Sequence, residues 1–83
     1  MATRKKVKPV TEAEKEYLIR VGERLKHYRL LRGYTNYESF ANKFDLQRSM
    51  YGQYERGSNI TLLTLHRILE VLEVDREEFH RGL

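Results

Sequence analysis

Cysteine and tryptophan are both missing from the 83 residues. Without cysteine there is no disulfide framework, no thiolate zinc site and no thiol nucleophile, and the composition suits a reducing cytoplasm. Proline occurs once, at Pro9, so nothing downstream of it forces a helix to break. No apolar run approaches the ~18 residues of a membrane span, and no signal-peptide core follows the basic start. No segment sustains the apolar–polar alternation of a half-buried strand. The three histidines, His27, His66 and His80, are dispersed without metal-ligand spacing. Serines, histidines and acids serve as caps, turns and solvated faces, so no catalytic set and no cofactor is implied. A chain this short buries roughly 60% of its unfolded surface, enough for one modest core. An enzyme with a deep, dry cavity is therefore not expected.

The chain carries a formal net charge of +4, unevenly distributed. Residues 1–10 hold Arg4, Lys5, Lys6 and Lys8 with no acid. They lack hydrophobic periodicity and are expected to form a flexible basic tail, either a solubilising leader or an arm that touches a polyanion. Residues 11–16 and 57–83 are net acidic. The middle, residues 17–56, is net basic. A single domain is expected over 11–83.

Helix punctuation is clear. Thr11 with Glu14 is a capping box, and Gly33 is a stop. Between them Leu18, Val21, Leu25 and Tyr28 recur at three- and four-residue steps, predicting a helix over 12–32 with one buried face. A second helix is predicted over 36–43, capped either by Thr35 with Glu38 or by Asn36. Phe40, Ala41 and Phe44 are its apolar residues. A third, over 47–55, carries Tyr51 and Tyr54 inward and stops at Gly57. Thr61 caps a fourth over 62–72, with Leu62, Leu65, Ile68, Leu69 and Leu72 on one face. Asp75 with Glu78 is a last capping box, opening a short terminal helix around Phe79. The expected fold class is all-α, five helices with little or no sheet.

The informative stretch is FANKFDLQRSMYGQYERG, Phe40 to Gly57. Ala41 is small enough for two helices to cross closely. Asp45 falls in the tight turn, where a left-handed backbone is often needed and Asp is tolerated. Tyr51 returns to the core. This is the spacing of a helix-turn-helix, whose second helix enters the major groove of DNA.

The chain here resembles the phage-repressor type of helix-turn-helix, the Cro/repressor class also called the xenobiotic-response-element class. The resemblance runs from VGERLKHYRLLRGYT to LLTLHRILEVLEVDREEF, and YERG and LEVDREEF are its most specific pieces. It implies a five-helix, lambda-repressor-like domain in a bacterial DNA-binding regulator. Three residues depart from the pattern: Asp45 for the usual turn glycine, Gly52 in mid-helix, and Ile60 where proline is common. The resemblance also implies that Arg29 of the first helix pairs with Glu55 of the E-R-G sequence.

On a helical wheel Arg48, Ser49, Gly52, Gln53 and Arg56 share a polar face, while Met50, Tyr51 and Tyr54 lie opposite. Arg48 suits a bidentate pair with guanine and Gln53 one with adenine. The resemblance places base contacts at Arg48, Ser49 and Gln53 as well. Gly52 is expected to let a thymine methyl or the helix backbone approach. Asn36, Tyr37 and Gln47 lie at helix N-termini, where N–H groups favour phosphate. Arg56, Ser58 and Asn59 follow the reading helix as further phosphate contacts, with Lys43 a weaker one.

The expected function is a sequence-specific, double-stranded DNA-binding transcriptional regulator, a repressor in the first instance, reading the major groove with helix 47–55. Two alternatives stand beside it: the antitoxin of a toxin–antitoxin pair, binding operator DNA and a protein toxin, and a protein-interaction module on the same fold. Members of the resembled family act in pairs, which implies a homodimer on DNA and half-sites about one turn apart. Leu63, Val71, Phe79 and Leu83 are candidates for its contact surface, with Tyr17 and Leu18 as the alternative. The expected location is the cytoplasm, with no membrane partner.

Overall fold

A computed structural model describes residues 9–83. Most of the basic tail expected over 1–10 lies outside the described residues. The described residues fold into five helices: α1 (Glu12–Leu31), α2 (Tyr37–Lys43), α3 (Arg48–Glu55), α4 (Leu62–Leu72) and α5 (Arg76–His80). There is no strand among the described residues.

Local chemistry sets each boundary. At α1 the Glu14 amide donates to Thr11 Oγ1 at 3.1 Å and the Thr11 amide donates back to Glu14 Oε1 at 2.8 Å. At the other end α1 stops at Leu31, one residue earlier than predicted, and Gly33 turns the chain out with φ +91°, as expected. Asn36, not Thr35, caps α2, its side chain accepting from the Ser39 amide at 3.0 Å. Gln47 caps α3 through its backbone alone, so α3 starts one residue later than predicted. Thr61 caps α4, accepting from the Thr64 amide. Asp75 accepts from the amides of Glu77 and Glu78. Its cap is one-sided where the spacing predicted a reciprocal box.

Two residues without glycine's freedom adopt left-handed backbone, Asp45 and Glu73, each at φ +59°. Asp45 is the turn between α2 and α3, and the Leu46 amide beyond it donates to Ala41 O at 2.7 Å, closing the corner. Glu73 ends α4 with no sequence signal of its own.

The core gathers Val21, Leu25 and Tyr28 of α1, Phe40 and Ala41 of α2, Tyr51 of α3, Leu65, Ile68, Leu69 and Leu72 of α4, then Val74 and Phe79. Phe40 sits at its centre, its ring 5.2 Å from those of Tyr34 and Phe44 and 5.1 Å from that of Tyr51. Such tilted pairs each add roughly 0.5–1.5 kcal/mol beyond the area they bury. Three expectations from periodicity need correction. Leu62, assigned to the core face of α4, is 85% exposed: it opens the helix, and its first turn runs past the edge of the bundle. Phe79, offered as a surface residue, is fully buried. Leu18 is half-buried, not core, whereas Tyr54 is half-buried and packs against the core as expected.

Arg24 of α1 and Arg32 at its C-cap close the bundle. Arg24 Nη1 donates to the carbonyls of Phe79 and Arg81 at 2.7 and 2.9 Å. Arg32 donates from Nε to Leu72 O at 2.6 Å and from Nη2 to Glu73 O at 2.9 Å. Each satisfies carbonyls that a helix end leaves without partners. With Arg29, three bases of the middle segment are therefore held in internal hydrogen bonds.

Candidate nucleic-acid interface

Short, capped helices hold the polar face of α3 outward. The Asp45 turn sets α3 against α2, and Tyr51 pins its inner side. Two further contacts seat α3 on α1. The first is the Arg29–Glu55 pair: Arg29 Nε donates to Glu55 Oε2 at 2.7 Å and Nη2 to Oε1 at 3.0 Å. The side chains are 4% and 8% exposed. Arg29 Nη1 also donates to Tyr34 O at 2.6 Å, which ties in the loop before α2. Hydrogen bonding to Glu55 holds the guanidinium above its ordinary pKa, against the opposing effect of burial. The Tyr51 hydroxyl lies beside this pair and is buried without a hydrogen-bond partner; burial first, then Glu55, pushes its pKa up.

The second contact escaped sequence reading. Gly22 is buried in α1, and a Cβ there would lie 2.5 Å from Tyr54 O and 2.6 Å from Glu55 O. The backbones of α1 and α3 cross at this glycine. A lone glycine inside a helical pattern does signal close approach or packing, and that was the one available cue.

On the outer side, Gln47, Arg48, Ser49, Gln53 and Arg56 line one hollow of about 460 Å³ together with Tyr37 and Glu38 of α2. Arg48, Ser49 and Gln53 are all exposed. Their guanidinium, hydroxyl and carboxamide groups stand on one face, and each is of a type that can donate to or accept from a base edge. Gln47, with no capping bond to occupy its side chain, adds a free amide at the helix N-terminus. Glu38, expected only as a possible cap, brings a carboxylate to the rim.

The remaining predicted residues are placed differently. Gly52 does not leave open space for a base: it is buried beneath the Tyr37 ring, so the gap beside its Cα is already filled. Asn36 spends its side-chain oxygen on the α2 cap. Lys43 Nζ sits 5.3 Å from the Tyr34 ring centroid and 5.7 Å from that of Phe44, a cation–π position apart from the hollow. Ser58 and Asn59 lie in the loop after α3 and do not line the hollow.

Among the described residues no group of His, Asp or Glu is arranged to hold a metal ion, and no helix is long and apolar enough to cross a membrane.

A helix-turn-helix family model matches residues 25–79. A solved structure, the restriction-modification controller protein C.AhdI from Aeromonas hydrophila, is similar with a TM-score of 0.69 and 29% identity. The match covers 77% of this chain and 97% of that one. Among curated proteins, none matches the chain.

Proposed function

The chain belongs to the helix-turn-helix family of the Cro/C1 type and is a DNA-binding transcription regulator, and from that premise we propose that it reads base edges in the major groove with α3, as a homodimer. The observation that carries this reading is the exposed row Arg48, Ser49 and Gln53 around one open hollow. Arg48 takes guanine, Gln53 adenine, and Ser49 either. Gln47, Arg56 and the backbone at the α3 N-terminus meet phosphate and set the register. Repression follows from occupancy of the site, in the cytoplasm, without catalysis.

The dimer reading rests on a groove between α4 and α5. Leu62 and Leu63 are 85% and 56% exposed, and they border a concavity of about 260 Å³ with Leu69, His66, Arg76 and His80. Two adjacent exposed leucines beside an apolar groove suit a self-complementary, two-fold contact. The groove takes over from the expected patch, because Phe79 belongs to the core and Leu83 lies against α1. Leu63→Glu is expected to raise the dimer dissociation constant at least about tenfold while leaving the monomer folded. Sedimentation checks this, and an unchanged association constant refutes the assignment. The antitoxin reading has no observation in its favour that the second copy does not already use.

Selection from random duplex DNA, followed by a salt series, tests the whole reading. An enriched palindrome is expected. About eight phosphates neutralised per dimer give a log–log salt slope of roughly −7. Arg48→Ala is expected to relax specificity at one base position in each half-site by about 1–3 kcal/mol and leave other positions unchanged. No enriched sequence at low salt sinks base-specific recognition.

A further inference from the structure

Tyr37 and Gly52 come from different helices and meet face to face. A Cβ on Gly52 would lie 2.6 Å from Tyr37 Cε1, 3.0 Å from Cζ and 3.1 Å from the hydroxyl oxygen. These three atoms belong to the far end of the ring, so it is the hydroxyl end of the phenol that stands over α3. Any side chain at position 52 would take this seat; glycine leaves it free for a residue of α2.

The place so filled lies on the polar face of α3. Gly52 is one turn beyond Arg48 and next to Gln53 in the chain, and the Tyr37 ring lines the same hollow as Arg48, Ser49 and Gln53. Tyr37 is half-buried, so part of it remains open to a ligand. Among the described residues the tyrosine hydroxyl that does find a partner is that of Tyr28, which donates to Glu78 Oε2. A phosphate-directed group would be expected at the helix N-termini. Tyr37 opens α2, yet its hydroxyl end reaches over Gly52, a full turn inside α3, beside Arg48, Ser49 and Gln53.

We propose that Tyr37 is a specificity-determining residue: its hydroxyl, seated on Gly52, hydrogen-bonds a base edge in the major groove beside the base met by Arg48. This rests on the reading of Arg48, Ser49 and Gln53 as the base-contacting row. A phenol hydroxyl both donates and accepts, so it discriminates between base edges by which role the edge offers. Mid-helix glycine, unfavourable for α3 taken alone, thereby has a function: it moves one reading group from α3 to α2.

The test compares the wild-type chain with Tyr37→Phe and Gly52→Ala in the same random-duplex selection, with thermal melting of each protein as control. Tyr37→Phe keeps the ring on its seat and removes only the hydroxyl. Gly52→Ala keeps the hydroxyl and pushes the ring off the seat. Both are expected to relax base preference by roughly five- to tenfold, at the same single position of each half-site, with Tyr37→Phe melting as the wild type does. A loss of affinity by one common factor on all duplexes would make Tyr37 a phosphate contact and overturn the proposal. So would a Tyr37→Phe profile identical to the wild type's. Should Gly52→Ala fail to fold, Tyr37→Phe alone decides. A wild-type protein that enriches no sequence refutes base reading altogether, whereas one that enriches a site the Tyr37→Phe variant reads identically refutes only the role of Tyr37.

Discussion

Glu55→Ala is expected to lower the melting temperature by at least about 12 °C and to abolish DNA binding at temperatures where the parent binds. The carboxylate it removes is the partner of a guanidinium that is almost wholly buried. Arginine cannot escape by losing its proton. The variant must either keep an uncompensated charge in the core or open the bundle to hydrate it. Breaking such a pair from one side costs about 3–5 kcal/mol. A domain of this size has roughly 4–12 kcal/mol in total at the usual stability per residue. One substitution thus removes a large share of it, and each kcal/mol corresponds to about 4–8 °C in a domain this small.

The expected loss does not mean that the pair is a strong source of stability. Its attraction is largely offset by the desolvation of both groups. The contrast between variants makes this measurable. Replacing both partners with apolar residues of similar volume, Arg29→Met with Glu55→Leu, is expected to recover a good part of the loss by leaving no buried charge. The Tyr34 carbonyl that Arg29 also satisfies keeps that recovery incomplete. Chemical denaturation of the single and double variants separates the two effects. A Glu55→Ala protein that melts within about 2 °C of the parent would show that the charge is hydrated in solution.

The pair also explains what could be read from the chain and what could not. Helices were legible because caps and apolar spacing are local: Thr11, Asn36, Thr61 and Asp75 each cap the helix that follows them. Asp45 in the turn was legible because few residue types tolerate a left-handed backbone there. Arg29–Glu55 came from resemblance alone, since nothing in a spacing of 26 residues says that two charges meet.

Charge distribution misled in a different way. The basic middle segment reads as a surface for a polyanion, yet Arg24, Arg29 and Arg32 are committed to carbonyls and to Glu55. The positive groups left for DNA in that segment are fewer, with Arg48 and Arg56 on the hollow itself. Exposure failed at Leu62 because periodicity reports the direction a side chain faces along a helix, not whether another element lies opposite. The Gly52 error has a related cause. A wheel shows which face a residue occupies but not what a neighbouring helix places over it, and only the packing of α2 on α3 brings Tyr37 there.

Gly22→Ala is the substitution that best tests how α3 is seated. In an isolated helix it stabilises by roughly 1 kcal/mol, because alanine has the higher helix propensity. In this fold the added methyl meets Tyr54 O at 2.5 Å, Glu55 O at 2.6 Å and the Glu55 carbonyl carbon at 2.8 Å, where ordinary contacts begin at 3.4 Å. All three atoms are backbone, so no rotamer change relieves the clash. α1 and α3 must separate by nearly 1 Å, which also strains the Arg29–Glu55 hydrogen bonds one helical segment away. Overpacking of this kind costs about 1–3 kcal/mol and sometimes more. Strain on the ion pair adds to it, so the packing cost outweighs the propensity gain. The expected net loss is about 2 kcal/mol, or roughly 10 °C in melting temperature. Gly52→Ala is the matched control: its propensity gain is the same, but the atoms in the way belong to the end of the Tyr37 side chain, which can swing aside. Its melting temperature is expected to stay near that of the parent. The difference between the two variants measures the cost of moving a helix rather than a ring. A Gly22→Ala protein as stable as Gly52→Ala, with wild-type affinity for DNA, would show that α1 and α3 do not need this close crossing.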